Sequence, residues 1–188
     1  MRPTSVLVIA ALGLILTGCS VEAGPARSRP TAPLSSSATT ADPSPAALKV
    51  VINCNLVLSD AHAAALSPSV RPIPTFAPAA GTLGAKMVEQ GGRPCGWGAE
   101  STASLEVVVA IPTAAGLAAA KMSAASTGQI ANAAHASAAY FEVAGGWGRA
   151  QIFMGSYWIE VASPAFTTPE QAEGVYSSVI ADVRSAGG

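Results

Sequence analysis

Residues 149–183 read RAQIFMGSYWIEVASPAFTTPEQAEGVYSSVIADV, two β-rich runs followed by a long amphipathic stretch. Residues 149–154 and 157–162 are dense in aromatic and β-branched side chains, and Gly155-Ser156 between them places glycine first, as a two-residue type II′ hairpin turn requires. Thr168 then stands as an N-cap, with Pro169 at the first helical position and Gln171 three residues on, the pattern of a capping box. Downstream, Ala172, Val175, Tyr176, Val179, Ile180 and Val183 recur at helical spacing and form a single apolar stripe. A hairpin with a helix laid across it is therefore expected at the C-terminal end.

Upstream the same signals repeat. Residues 104–111, with Leu105-Glu106-Val107-Val108-Val109, make the strongest strand. Shorter strands are expected at 48–53, 85–89, 96–100 and 140–143. Ser59 reads as the N-cap of a short helix, Pro112-Thr113 as the stop before an Ala-rich helix reaching about residue 125, and 128–136 as a further helical piece. Residues 67–84, rich in Pro and Ala, read as a long loop. Together these describe an α+β domain: an antiparallel sheet covered on one side by helices, a sandwich of two layers. Gly96-Trp97-Gly98 and Gly146-Trp147-Gly148, 50 residues apart, suggest a duplicated unit.

The first residues carry a different message. Arg2 precedes an apolar run from Val6 to Leu16, whose eleven residues would rise only about 16 Å as a helix, half of a ~30 Å hydrocarbon core. That is a secretory signal rather than a span. Leu16-Thr17-Gly18-Cys19 matches the bacterial lipobox, in which Cys19 takes fatty-acyl chains such as palmitate and becomes the new N-terminus. Two or more acyl chains anchor a chain stably. The expected organisation is a lipoprotein signal peptide at 1–18, a lipidated Cys19 with a Pro/Ser/Thr/Ala-rich tether at 19–46, and a globular domain at 47–188, held at the extracytoplasmic face of the cell membrane. The tether has too few large apolar side chains to fold and would reach about 30 Å.

Composition narrows the partners. With 11% charged residues and a net charge of -1, the chain has no basic run to meet nucleic acid. If Cys19 is lipidated, Cys54 and Cys95 remain as a pair in an oxidising compartment, where a disulfide is the default. A metal thiolate pair or a nucleophile lacks companions, and no cofactor motif or metal cluster is visible. The large aromatics divide between two roles: Trp97, Trp147, Tyr157 and Phe153 are candidates for an aromatic-lined binding face, or fill space in an Ala-rich core. His62 and His135 read as solvated surface residues. Glu106, Glu142 and Glu160 read as the outward polar half of their strands, or as converging carboxylates if those strands are neighbours. No catalytic residue is assigned.

Cys54-Asn55-Leu56, the Ser59-Asp60-Ala61 helix start with Ala64-Ala65-Leu66, and Cys95-Gly96-Trp97 before a hydrophobic strand resemble small actinobacterial secreted lipoproteins of the mycobacterial LpqN kind. The likeness covers most of Cys54 to Ala186. It implies an α+β fold of the PsbP/Mog type, pairing of Cys54 with Cys95, and a surface role without known catalysis, with no functional residues to carry over. The expected function is a binding or accessory module that captures an envelope partner or a small amphiphile on its sheet face. The alternatives are an envelope hydrolase or a purely structural lipoprotein.

Overall fold

A computed structural model describes residues 46–66, 70–99 and 102–187. The signal peptide, Cys19 and nearly all of the tether lie outside the described residues. The described elements are α1 (Cys54–Val57), α2 (Asp60–Leu66), β1 (Arg71–Ile73), α3 (Leu83–Glu89), β2 (Arg93–Ala99), β3 (Thr102–Ala110), α4 (Ala114–Thr127), β4 (Gln129–Ile130), β5 (Ala138–Ala144), β6 (Trp147–Met154), β7 (Tyr157–Ser163) and α5 (Pro169–Gly187). The strands form one antiparallel sheet in the order β1-β2-β3-β7-β6-β5-β4. Its centre is the β3–β7 pair, with hairpins β2–β3 and β6–β7 on either side.

The C-terminal hairpin and helix form as expected. Gly155 has φ +57 and Ser156 a negative φ, the signature of a type II′ turn. Gln171 Oε1 accepts from the backbone N–H of Thr168 at 3.2 Å, closing the start of α5. Every residue of the anticipated stripe, Ala172, Val175, Tyr176, Val179, Ile180 and Val183, is buried. It packs on Val107, Val109, Ile152, Ile159 and Val161, which alternate along β3, β6 and β7 on one face of the sheet. The same face takes Val57 and Leu58 of α1 and Ala63 of α2. Cys54 and Cys95 are disulfide-bonded, tying α1 to β2 across 41 residues.

The one-sided arrangement is corrected by the other face. Val108, Ala110, Phe153 and Trp158 point away from α5 and pack with Met87 of α3 and Ala124 of α4. Helices thus lie against both faces. The cause is α3, which the sequence reading assigned to a strand. Thr82 caps it, its hydroxyl accepting from Ala85 N at 3.3 Å, and Gly91 at φ +88 turns the chain away after its end. Three further corrections concern shorter pieces. Residues 48–53 form no strand, making one bridge, Leu48 with Ile111, and a bond from Val50 N to the Gly91 carbonyl; residues 71–73, inside the expected loop, pair with β2; and 129–130 add to β5 instead of forming a helix. The two Gly-Trp-Gly triplets are not equivalent: Trp97 sits in mid-β2, paired with Leu105, whereas Trp147 opens β6 after the β5–β6 turn.

Candidate functional site

Register places an unusual row of side chains on the α3/α4 face. Across β3, β7, β6 and β5 run Glu106, Ala162, Arg149 and Glu142; the next row holds Val108, Glu160, Gln151 and Tyr140. Side chains two apart on a strand share a face, so Glu106, Glu142 and Glu160 converge around one guanidinium. Arg149 Nε lies 3.3 Å from Glu160 Oε1 in an ion pair, and its Nη1 donates to the Ala144 carbonyl at 3.1 Å. Glu160 is 2% exposed, and its second oxygen, Oε2, has no hydrogen-bond partner among the described residues. Burial pushes its pKa up to about 7; Arg149 pulls it down, while the charges of Glu106 and Glu142 push it further up. Glu106 is raised as well, chiefly by burial, with Arg149 opposing. Gln151 accepts from Trp158 Nε1 at 3.3 Å, so the second row is also hydrogen-bonded.

These glutamates were expected to face water or to converge. They converge, because β3, β7, β6 and β5 are neighbours. Glu160 is buried because α3 roofs it: a Cβ on Gly84 would lie 2.9 Å from Oε2 and 3.2 Å from Pro78.

The roof is incomplete. α4 meets the sheet through small residues, with Ala124 its only fully buried one. A cleft of about 400 Å³ opens between α4, the start of α3 and the β5–β6 turn. Glu142, Arg149, Gln151 and Trp158 form its floor; Thr82 and Lys86 come from α3 and its cap, Ser123 and Thr127 from α4. Gly145 and Gly146, at φ +60 and +78, make the tight turn at one end and put no side chain over the opening. Lys86 is exposed and makes no ion pair among the described residues.

The aromatic candidates divide. Trp97 and Phe153 are buried in opposite faces of the sheet, so of the two roles open to them they fill space in the core and do not form a binding face. Phe153 stacks on Trp158, with ring centroids 6.2 Å apart. Trp147 and Tyr157 are partly exposed, but they are not brought together with the cleft. Trp158, a buried core residue, also contributes to its floor. A second, apolar pocket of about 290 Å³ lies beyond the start of α5, between Leu66, Val70, Leu105, Phe166 and Val175.

His135 is exposed, at φ 68. His62 is not simply solvated: its Nδ1 lies 2.9 Å from Asp182 Oδ2 on α5, and Ser59 N donates to the same oxygen at 2.8 Å. Ser59, His62 and Asp182 have the composition of a hydrolytic triad but not its geometry. Ser59 Oγ, 3.1 Å away, faces the same Nδ1 as the carboxylate, whereas a nucleophile must meet Nε2. The cluster fastens α2 to α5. Among the described residues no group of His, Cys, Asp and Glu is arranged to hold a metal, and no helix is long and apolar enough to cross a membrane. No protein family, curated protein or solved structure matches this chain.

Proposed function

We propose that the protein is a lipid-anchored binding module of the cell envelope, tethered through Cys19 at the outer face of the membrane, that captures a small ligand or a protruding part of an envelope partner in the α3/α4 cleft. The observation that carries this reading is the cleft floor. A charged Arg149–Glu160 pair, taken out of water beneath an opening, gains little stability over an apolar pair of the same volume. Its placement under a cavity of ligand size suits recognition. The lipobox at residues 16–19 supports the anchor, and the Cys54–Cys95 disulfide agrees with an oxidising compartment. The antiparallel α+β sheet is compatible with an LpqN-like lipoprotein of the PsbP/Mog type, although helices on both faces depart from the two-layer sandwich expected of it.

Two measurements test it. The full chain expressed in a lipoprotein-processing bacterial host should partition with membranes, and Cys19→Ser should release it to the soluble fraction. Envelope extracts presented to the full chain in detergent and analysed by native mass spectrometry should yield a retained species. Ser123→Trp, which fills the cleft from α4, should abolish that retention. Retention unaffected by the tryptophan would place binding elsewhere.

A hydrolytic reading has one observation in its favour, the convergence of three carboxylates with Glu160 raised to about 7. Against it, Glu160 is not among the residues that line the cleft, and Gly84 roofs its Oε2. Loss of a hydrolytic activity in Glu142→Gln would favour this second reading.

A further inference from the structure

The cleft keeps its opposite charges apart. Glu142 and Arg149 stand directly across from each other in the β5–β6 register, the position at which opposite charges pair most easily. They form no ion pair. Arg149 turns its Nε to Glu160 and its Nη1 to the Ala144 carbonyl, which leaves Nη2 with no hydrogen bond among the described residues. Lys86, on the opposite wall, is likewise without an acidic partner among them. One wall and part of the floor thus offer N–H donors with positive charge, and Glu142 offers a carboxylate beside them. Both signs line one cavity, and neither sign is satisfied there by the other.

We infer that the ligand is a zwitterion of peptide size, with its carboxylate between Arg149 and Lys86 and its ammonium on Glu142; this rests on the cleft being the binding site. A simple anion would gain the two cations but sit beside Glu142, and a simple cation would meet the reverse. Only a molecule carrying both charges engages both halves. A guanidinium N–H on a carboxylate is a charge-assisted hydrogen bond, and the Arg149–Glu160 ion pair holds that guanidinium in place in advance. Gln151, Ser123 and Thr127 supply hydrogen-bonding groups for the amide between the two ends. The volume of about 400 Å³ fits a short peptide, not a single amino acid closely held.

The test is a matched series titrated against the full chain in detergent micelles: trialanine, N-acetyl-trialanine and trialanine amide, with N-acetylglucosamine as a neutral comparator. Trialanine should bind at least 10-fold more tightly than either capped form. Glu142→Gln should remove the discrimination against the acetylated peptide while keeping that against the amide; Lys86→Met should weaken trialanine and leave the amide unchanged. Equal binding of all three peptides, or tighter binding of a capped one, overturns the inference. If only N-acetylglucosamine binds and Ser123→Trp abolishes it, the cleft is a site but the zwitterion is wrong. If no probe binds, the inference fails, and the extract measurement then decides separately whether the cleft is a site at all.

Discussion

Gly84 in the first turn of α3 and Glu160 in the middle of β7 are packed so closely that a methyl group on the glycine would lie 2.9 Å from the carboxylate oxygen Oε2. The helix approaches the sheet here only because one partner has no side chain. Alanine is otherwise the better helix former by about 1 kcal/mol, so the sign of Gly84→Ala reports the contact. We expect Gly84→Ala to destabilise the domain by about 1 kcal/mol, and to lose most of that cost when combined with Glu160→Ala. Urea titrations of the four members of the cycle measure it. A stabilising single substitution would show that the contact is loose.

The buried carboxylate also predicts a pH dependence. Glu160 has a folded-state pKa of about 7 against 4.5 when exposed, so the folded state holds its proton more tightly. Its contribution is fully present below about pH 4.5 and is lost as pH rises through about 7, a change of roughly 3 kcal/mol. Wild-type stability relative to Glu160→Gln should therefore fall between pH 5 and pH 8. Parallel stability curves for the two proteins over that range would rule out the titration.

Removing the disulfide should cost more than any one of these changes. Cys54 and Cys95 close a loop with a sequence separation of 41, worth about 4 kcal/mol on the chain-entropy estimate. The Cys54→Ser/Cys95→Ser double variant and the reduced wild type should show the same lowered denaturant midpoint. A midpoint that reductant leaves unchanged would mean that the link contributes little.

At the opposite face, Asp182 accepts from Ser59 N and approaches His62 Nδ1. Asp182→Ala should cost about 1–2 kcal/mol and speed amide exchange in α2, because it removes the anchor of that helix on α5. His62→Ala should cost less, since the Ser59 bond survives. Unchanged exchange in 60–66 after Asp182→Ala would show that α2 is held by its apolar contacts alone.

In the core, Ile180 is buried on the α5 stripe against the sheet. Ile180→Ala should destabilise by about 2–5 kcal/mol, whereas the exposed Met122→Ala on α4 should be nearly neutral. Thermal or chemical denaturation distinguishes the two directly.

Local chemistry was enough for the C-terminal third. A glycine-first turn, a capping box and a 3.6-residue stripe each act over four residues or fewer or along one helix, so the hairpin and α5 were legible in residues 149–183. The cysteine pair was legible for a similar reason: once lipid was assigned to Cys19, two thiols remained. The helix α3 was missed although Thr82 and Gly91 mark both its ends, because seven residues carry too little periodicity to separate helix from strand. Residues 129–130 were missed because two residues become a strand only when a neighbouring edge exists to receive them.

The site itself belongs to the tertiary structure. Along the chain Glu106, Glu142, Arg149 and Glu160 are four polar residues on separate strands, indistinguishable from a solvated face. Register turned all four to one side, the order β3-β7-β6-β5 brought them together, and α3 then closed over Glu160 while the small side chains of α4 left Glu142 and Arg149 open. Which face of a strand is wet depends on what else in the chain comes to cover it, and that is a sum over contacts between segments far apart in sequence.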